Sequence, residues 1–203
     1  MQRIFTLLAL LVTFSLSATC ALAADALPKP GNFDEEDILI TERLGTKYSA
    51  IVVKDFSTKG AEIVNIDEEE KKLLQDAEKD IVRALTDSTV KHLKEYGIFK
   101  KVEANSSTKA NALILRGTFT RFNGGVGAAK WFLGVMAPKG AKTNISIDAE
   151  LVDATTGAVL VKIKDVRSGG EGTSMGSSNM TKAFVVQAED EGEELAEFIK
   201  EIF

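Results

Sequence analysis

Residues 143–163 read Thr-Asn-Ile-Ser-Ile-Asp-Ala-Glu-Leu-Val-Asp-Ala-Thr-Thr-Gly-Ala-Val-Leu-Val-Lys-Ile, and this stretch decides the fold. Thr143, Ile145, Ile147, Ala149 and Leu151 share one face of an extended chain, while Asn144, Ser146, Asp148 and Glu150 share the other. That alternation is the signature of a half-buried strand. Asp153-Ala-Thr-Thr-Gly157 supplies turn chemistry, and Val159, Val161 and Ile163 resume the alternation. The result is an antiparallel hairpin with one wet face.

Upstream, Ala112–Phe122 alternates in the same way, with Leu113, Leu115, Gly117 and Phe119 on one face. Tyr48–Phe56 is rich in branched and aromatic residues and reads as a buried strand. Between them lies the clearest helix of the chain. Asp67 and Glu70 form an acidic capping box, and Leu74, Ala77, Ile81, Leu85, Leu93 and Tyr96 make one apolar stripe. Gly97 stands where a left-handed C-cap belongs. Phe99–Glu103 then reads as a short strand, giving a βαβ-like start that is right-handed if the strands are parallel neighbours. A second helix begins near Lys182, with Val185, Ala188, Leu195, Ile199 and Ile202 buried and Glu189-Asp190-Glu191 and Glu193-Glu194 on the wet side. The expected class is α+β: a mixed, mostly antiparallel sheet of about five strands, with a long helix after the first strand and a C-terminal helix on one face.

The first 23 residues carry an address. Arg3 precedes an apolar run from Ile4 to Leu16, and Ala21-Leu22-Ala23 forms a small-residue cleavage site before Ala24. Residues 1–23 therefore read as a secretory signal peptide cut between Ala23 and Ala24, in preference to a retained anchor, because Ser17, Thr19 and Cys20 dilute the end of the apolar run. The expected location is periplasmic or outer-membrane associated. Cys20 is the only cysteine; Ser17-Ala18-Thr19 before it fits lipidation poorly, so a lipoprotein is not expected. Without it the mature chain has no thiol, hence no disulfide, thiolate catalysis or cysteine-bound zinc. Residues 24–47, with Pro28, Pro30 and Asp34-Glu35-Glu36-Asp37, read as an N-terminal arm that partly docks; residues 48–203 read as one domain with mobile loops at 123–141 and 168–181.

Charge and motifs exclude several functions. The 25 basic side chains less Arg3, against 30 acidic ones, leave the mature chain at −6, which argues against nucleic acid. Gly124-Gly125-Val126-Gly127 and Gly140-Ala-Lys142-Thr143 evoke phosphate loops, but neither has the required spacing before a helix, so no nucleotide is expected. His92 is the only histidine and has no nominated partner, and no metal site or cofactor is read. Asp55, Asp148, Glu150 and Asp153 are the carboxylates set apart from the acidic helical runs; capping, cross-strand pairing and the turn explain them more simply than catalysis. No catalytic residues are assigned. The segment from Asn123 to Ala141 stands out, with five glycines, the only tryptophan, and Trp131-Phe132-Leu133-Gly134-Val135-Met136 between Lys130 and Lys139. Its apolar residues Trp131, Phe132, Leu133, Val135 and Met136 either finish the core or contact a protein partner or membrane surface.

Ile51-Val-Val-Lys-Asp-Phe56, Tyr96-Gly97-Ile98-Phe99, Ala112-Leu-Ile-Leu-Arg-Gly117 and Ile147-Asp-Ala-Glu-Leu-Val-Asp153-Ala-Thr-Thr-Gly157 together resemble an exported bacterial family, domain of unknown function 4410, over roughly Tyr48 to Arg167. The layout is also similar to the domains of curli-secretion lipoproteins and the N-terminal part of the Tol translocation protein. The resemblance implies an envelope setting and a role in assembly or binding, and it transfers no catalytic residues. The expected function is a non-catalytic envelope binding or assembly module, with an oligomeric, ring-like assembly open to it. The alternative is a periplasmic small-ligand binder or hydrolase using Asp55 or the hairpin carboxylates.

Overall fold

Seven strands join one sheet in the computed structural model, which describes residue 27 and residues 31–107, 110–125, 142–168 and 180–203. They are β1 (Glu35–Ile38), β2 (Ala50–Val53), β3 (Glu62–Val64), β4 (Lys101–Ala104), β5 (Ala112–Asn123), β6 (Asn144–Asp153) and β7 (Val159–Ser168). Among the described residues two α-helices accompany them, α1 (Glu68–Tyr96) and α2 (Met180–Ile202). The order β1-β7-β6-β5-β2-β4 places the long antiparallel ladders of β5, β6 and β7 in one half, and β2 pairs in parallel with both β4 and β5. β3 pairs in parallel with the far end of β5. The α+β class and the mixed sheet hold.

The core forms where the pattern places it. Leu113, Leu115 and Phe119 of β5, Ile145, Ile147, Ala149 and Leu151 of β6, and Val161 and Ile163 of β7 are buried in one cluster with Ile51 and Val53. Leu74, Ile81, Leu85 and Leu93 of α1, with Phe184, Leu195, Phe198 and Ile199 of α2, complete it, so both helices cover the same face. A register shift between Phe119 and Arg121 inserts one extra residue into β5. That bulge turns both Phe119 and Phe122 inward, where their rings stack at 5.4 Å.

Both ends of α1 are fixed as the sequence predicts. Asp67 Oδ1 accepts from Glu70 N at 2.8 Å, and Asp67 N donates to Glu70 Oε2 at 3.2 Å. Gly97 closes the helix at φ 65°, a conformation that costs a side-chain-bearing residue steric strain. The N-terminal arm contributes β1, an edge strand whose Glu35 meets Lys164 of β7 at 2.7 Å.

Asp153 ties the hairpin turn to the entry of β2. It is 3% exposed and accepts from Tyr48 Oη at 2.7 Å, Lys47 Nζ at 2.8 Å, Thr155 N at 2.8 Å and Thr156 N at 3.0 Å. These donors, Lys47 foremost, hold its carboxyl well below the usual carboxylate range. A depressed folded-state value adds stability that is present above the unfolded value near 4 and is lost as pH falls through the folded one. Asp153→Asn should therefore lose about 2 kcal/mol near neutral pH and about 1 kcal/mol less at about pH 3, read by urea denaturation at both.

Candidate functional site

Two connections leave the same end of the sheet. Asn123, Asn144 and Ser168 are consecutive register partners across β5, β6 and β7, so the chain departs after Gly125 and after Ser168 side by side. The roots of the 126–141 connection are held by polar groups. Asn123 Oδ1 accepts from Asn65 Nδ2 and from Gly125 N, both at 2.9 Å, and Gly124 N donates to Val64 O at 2.9 Å. On the return side, Thr143 Oγ1 donates to Gly124 O at 3.3 Å and Gln187 Nε2 of α2 donates to Thr143 O at 2.8 Å. Trp131, Phe132, Leu133, Val135 and Met136 lie outside the described residues, as do Cys20, the cleavage pair Ala23 and Ala24, and the parts of the expected mobile loops at 126–141 and 169–179.

Beneath these roots sits a cluster of buried charge. Arg167 of β7 places Nε 2.9 Å from Glu191 Oε2, and its Nη2 lies 2.9 Å from Glu194 Oε2 and 3.2 Å from Asp165 Oδ2. The Glu191 side chain is 0% exposed, and its Oε1 has no hydrogen-bond partner among the described residues. Burial pushes the Glu191 carboxyl up to about 8; Asp165 adds to the rise and Arg167 opposes it. The sequence reading put Glu191 on the wet side, and the structure corrects it. Ala188, Glu191 and Leu195 recur at helical spacing on the buried face, so the periodicity carried the signal. Grouping Glu191 with its acidic neighbours hid it.

The remaining candidates are scattered. Asp55 Oδ1 accepts from Thr86 Oγ1 at 2.9 Å, and Asp55 N donates to Asn105 Oδ1 at 2.8 Å. Glu150 pairs with its cross-strand neighbour Arg116 at 2.8 Å on the wet face, where Asp148 is also exposed. His92 Nε2 stands 3.9 Å from Glu95 and 4.0 Å from Glu193. The structure thus does not bring Asp55 and the hairpin carboxylates together. Among the described residues no group of three or more His, Cys, Asp or Glu side chains is placed to hold a metal ion, and no helix is long and apolar enough to cross a membrane.

The sequence profile of the domain of unknown function DUF4410 matches residues 51–173, from β2 past the end of β7. The chain belongs to this family. No curated protein matches it. Among solved structures, the chain is similar to a PelC dodecamer from Paraburkholderia phytofirmans at 14% identity and a TM-score of 0.43, covering 80% of this chain and 95% of that one. A DUF330 protein from Xanthomonas campestris is similar at 13% identity and a TM-score of 0.43, covering 72% and 81%. The family match takes in the 126–141 connection and Arg167 but ends before α2, so Glu191 lies beyond it.

Proposed function

We propose that the protein is an exported, envelope-associated binding module without catalysis, and that residues 123–141 make its principal contact. The observation that carries this reading is the clamp at both ends of the connection: Asn65, Asn123, Thr143 and Gln187 fix the points where an apolar Trp-Phe-Leu-Gly-Val-Met segment leaves the sheet. A segment anchored at both roots binds with less ordering cost than a free tail. The leader and the envelope resemblance support export.

A protein partner suits this end of the molecule better than a bilayer. β3 and the first turn of α1 stand beside the roots and carry Glu62, Asp67, Glu68, Glu69 and Glu70, which an anionic lipid surface would repel. A photocrosslinker at Trp131 should capture an envelope protein in intact cells, whereas one at Lys162 on the wet face should not. Trp131→Ala with Phe132→Ala should weaken that contact about 30-fold, the effect of losing a buried aromatic anchor. Unfolding of the double variant would instead make the segment part of the core, and equal binding to lipid vesicles would assign it to the membrane.

A further inference from the structure

A second surface stands apart from the loop roots. The connection from β2 to β3 (residues 54–61) lies against the middle of α1, and an open groove of about 680 Å³ runs between them. It opens at the carboxyl end of β2, whose neighbours β4 and β5 run parallel to it. The crevice beyond the carboxyl ends of parallel strands is where such sheets commonly receive ligands. Asn105, just past β4, holds the backbone of Asp55 there at 2.8 Å.

The charges lining the groove fall into two kinds. Its carboxylates are half occupied: Asp55 Oδ1 accepts from Thr86 Oγ1, and Glu78 Oε1 accepts from Thr58 Oγ1, so among the described residues each keeps one oxygen unused. Its cations are not occupied. Lys59, Lys79 and Arg83 form no ion pair among the described residues. Lys79 and Arg83 are one helical turn apart, a like-charge spacing that is mildly unfavourable unless an anion bridges it. Val82 adds apolar surface between the two sets.

We propose that this groove binds a small hydroxylated carboxylate. Its carboxylate bridges Lys79 and Arg83, the guanidinium of Arg83 being suited to two parallel bonds. Its hydroxyls donate to the unused oxygens of Asp55 and Glu78, and its C–H face lies on Val82. This binding is independent of residues 123–141 and goes beyond the contact proposed for them.

Amide chemical-shift titration of the mature protein tests the assignment, with glucuronate as probe and glucose, acetate and inorganic phosphate as controls. Glucuronate should shift amides of residues 54–59 and 78–86 and saturate, while each control binds at least about tenfold more weakly. Lys79→Gln with Arg83→Gln should weaken glucuronate at least about tenfold with an unchanged circular dichroism spectrum, since both side chains are exposed. No response to glucuronate, an equal response to glucose, acetate or phosphate, or undiminished binding by the double variant would overturn the proposal.

Discussion

Gly192→Val will destabilise the protein by about 3 kcal/mol, a fall in Tm of about 9 °C in thermal denaturation. Gly192 lies inside α2, where glycine costs about 1 kcal/mol relative to alanine, so propensity alone favours replacement. Packing opposes it. A Cβ at this position would stand 2.5 Å from Leu85 O, 2.9 Å from Ser88 Cβ and 3.0 Å from Thr89 N, and two of those atoms are backbone of α1. The helices run side by side in the same direction. Ser88 Oγ donates to Glu189 O at 2.7 Å near one end of their contact, and Lys200 lies 4.5 Å over the Tyr96 ring near the other. Relieving the clash therefore means moving one whole helix off the other. Gly192→Ala should also destabilise, by about 1–2 kcal/mol, because the steric cost exceeds the propensity gain. An unchanged or raised Tm for Gly192→Ala would show that the crossing has slack.

Gly192 also shows what kind of information a single sequence carries. Read along the chain, it interrupts an apolar stripe and weakens the case for a helix; only the approach of α1 explains it. Elements with their own period were legible: the 67–97 helix with both caps, the alternating β5 and β6, and the Asp153–Gly157 turn. Two strands were not. β1 is four residues long and acidic, and β3 is three residues long. Neither has room to display a period. Each exists because a neighbour offers unpaired backbone groups, with Glu35–Lys164 and Glu62–Arg121 as the matched cross-strand pairs. The groove was hidden for a related reason. Lys59 and the Lys79–Arg83 pair belong to separate elements, and nothing in either segment announces the other. By contrast, the apolar run at 131–136 stands out from its composition alone, without its surroundings.

Arg167→Met is the substitution that tests this cluster, and it should cost about 1.5–3 kcal/mol, the loss of hydrogen bonds made by a charged group. The guanidinium faces Asp165 on its own strand and Glu191 and Glu194 on α2; its removal takes the donor from Glu191 and the counter-ion from Asp165 and Glu194. Burial acts to lower the Arg167 pKa, yet these carboxylates outweigh it and raise the value, so the arginine stays charged. Glu191 then sets a pH dependence opposite in sign to that of Asp153. Its folded value, about 8, lies above the ordinary 4.5, so the folded state binds the extra proton between them. The stability it contributes is complete below about 4.5 and is lost as pH rises towards 8, at up to about 1.4 kcal/mol per pH unit. Glu191→Gln should abolish that decline while leaving the acid limb set by Asp153 intact. Combined with Arg167→Met, it should cost less than the sum of the two single changes, because both remove the same contact. Denaturation of the four proteins at about pH 5 and about pH 8 separates these terms. Equal stability of Arg167→Met and the parent at both values would mean that water reaches Glu191 and the cluster carries no strain.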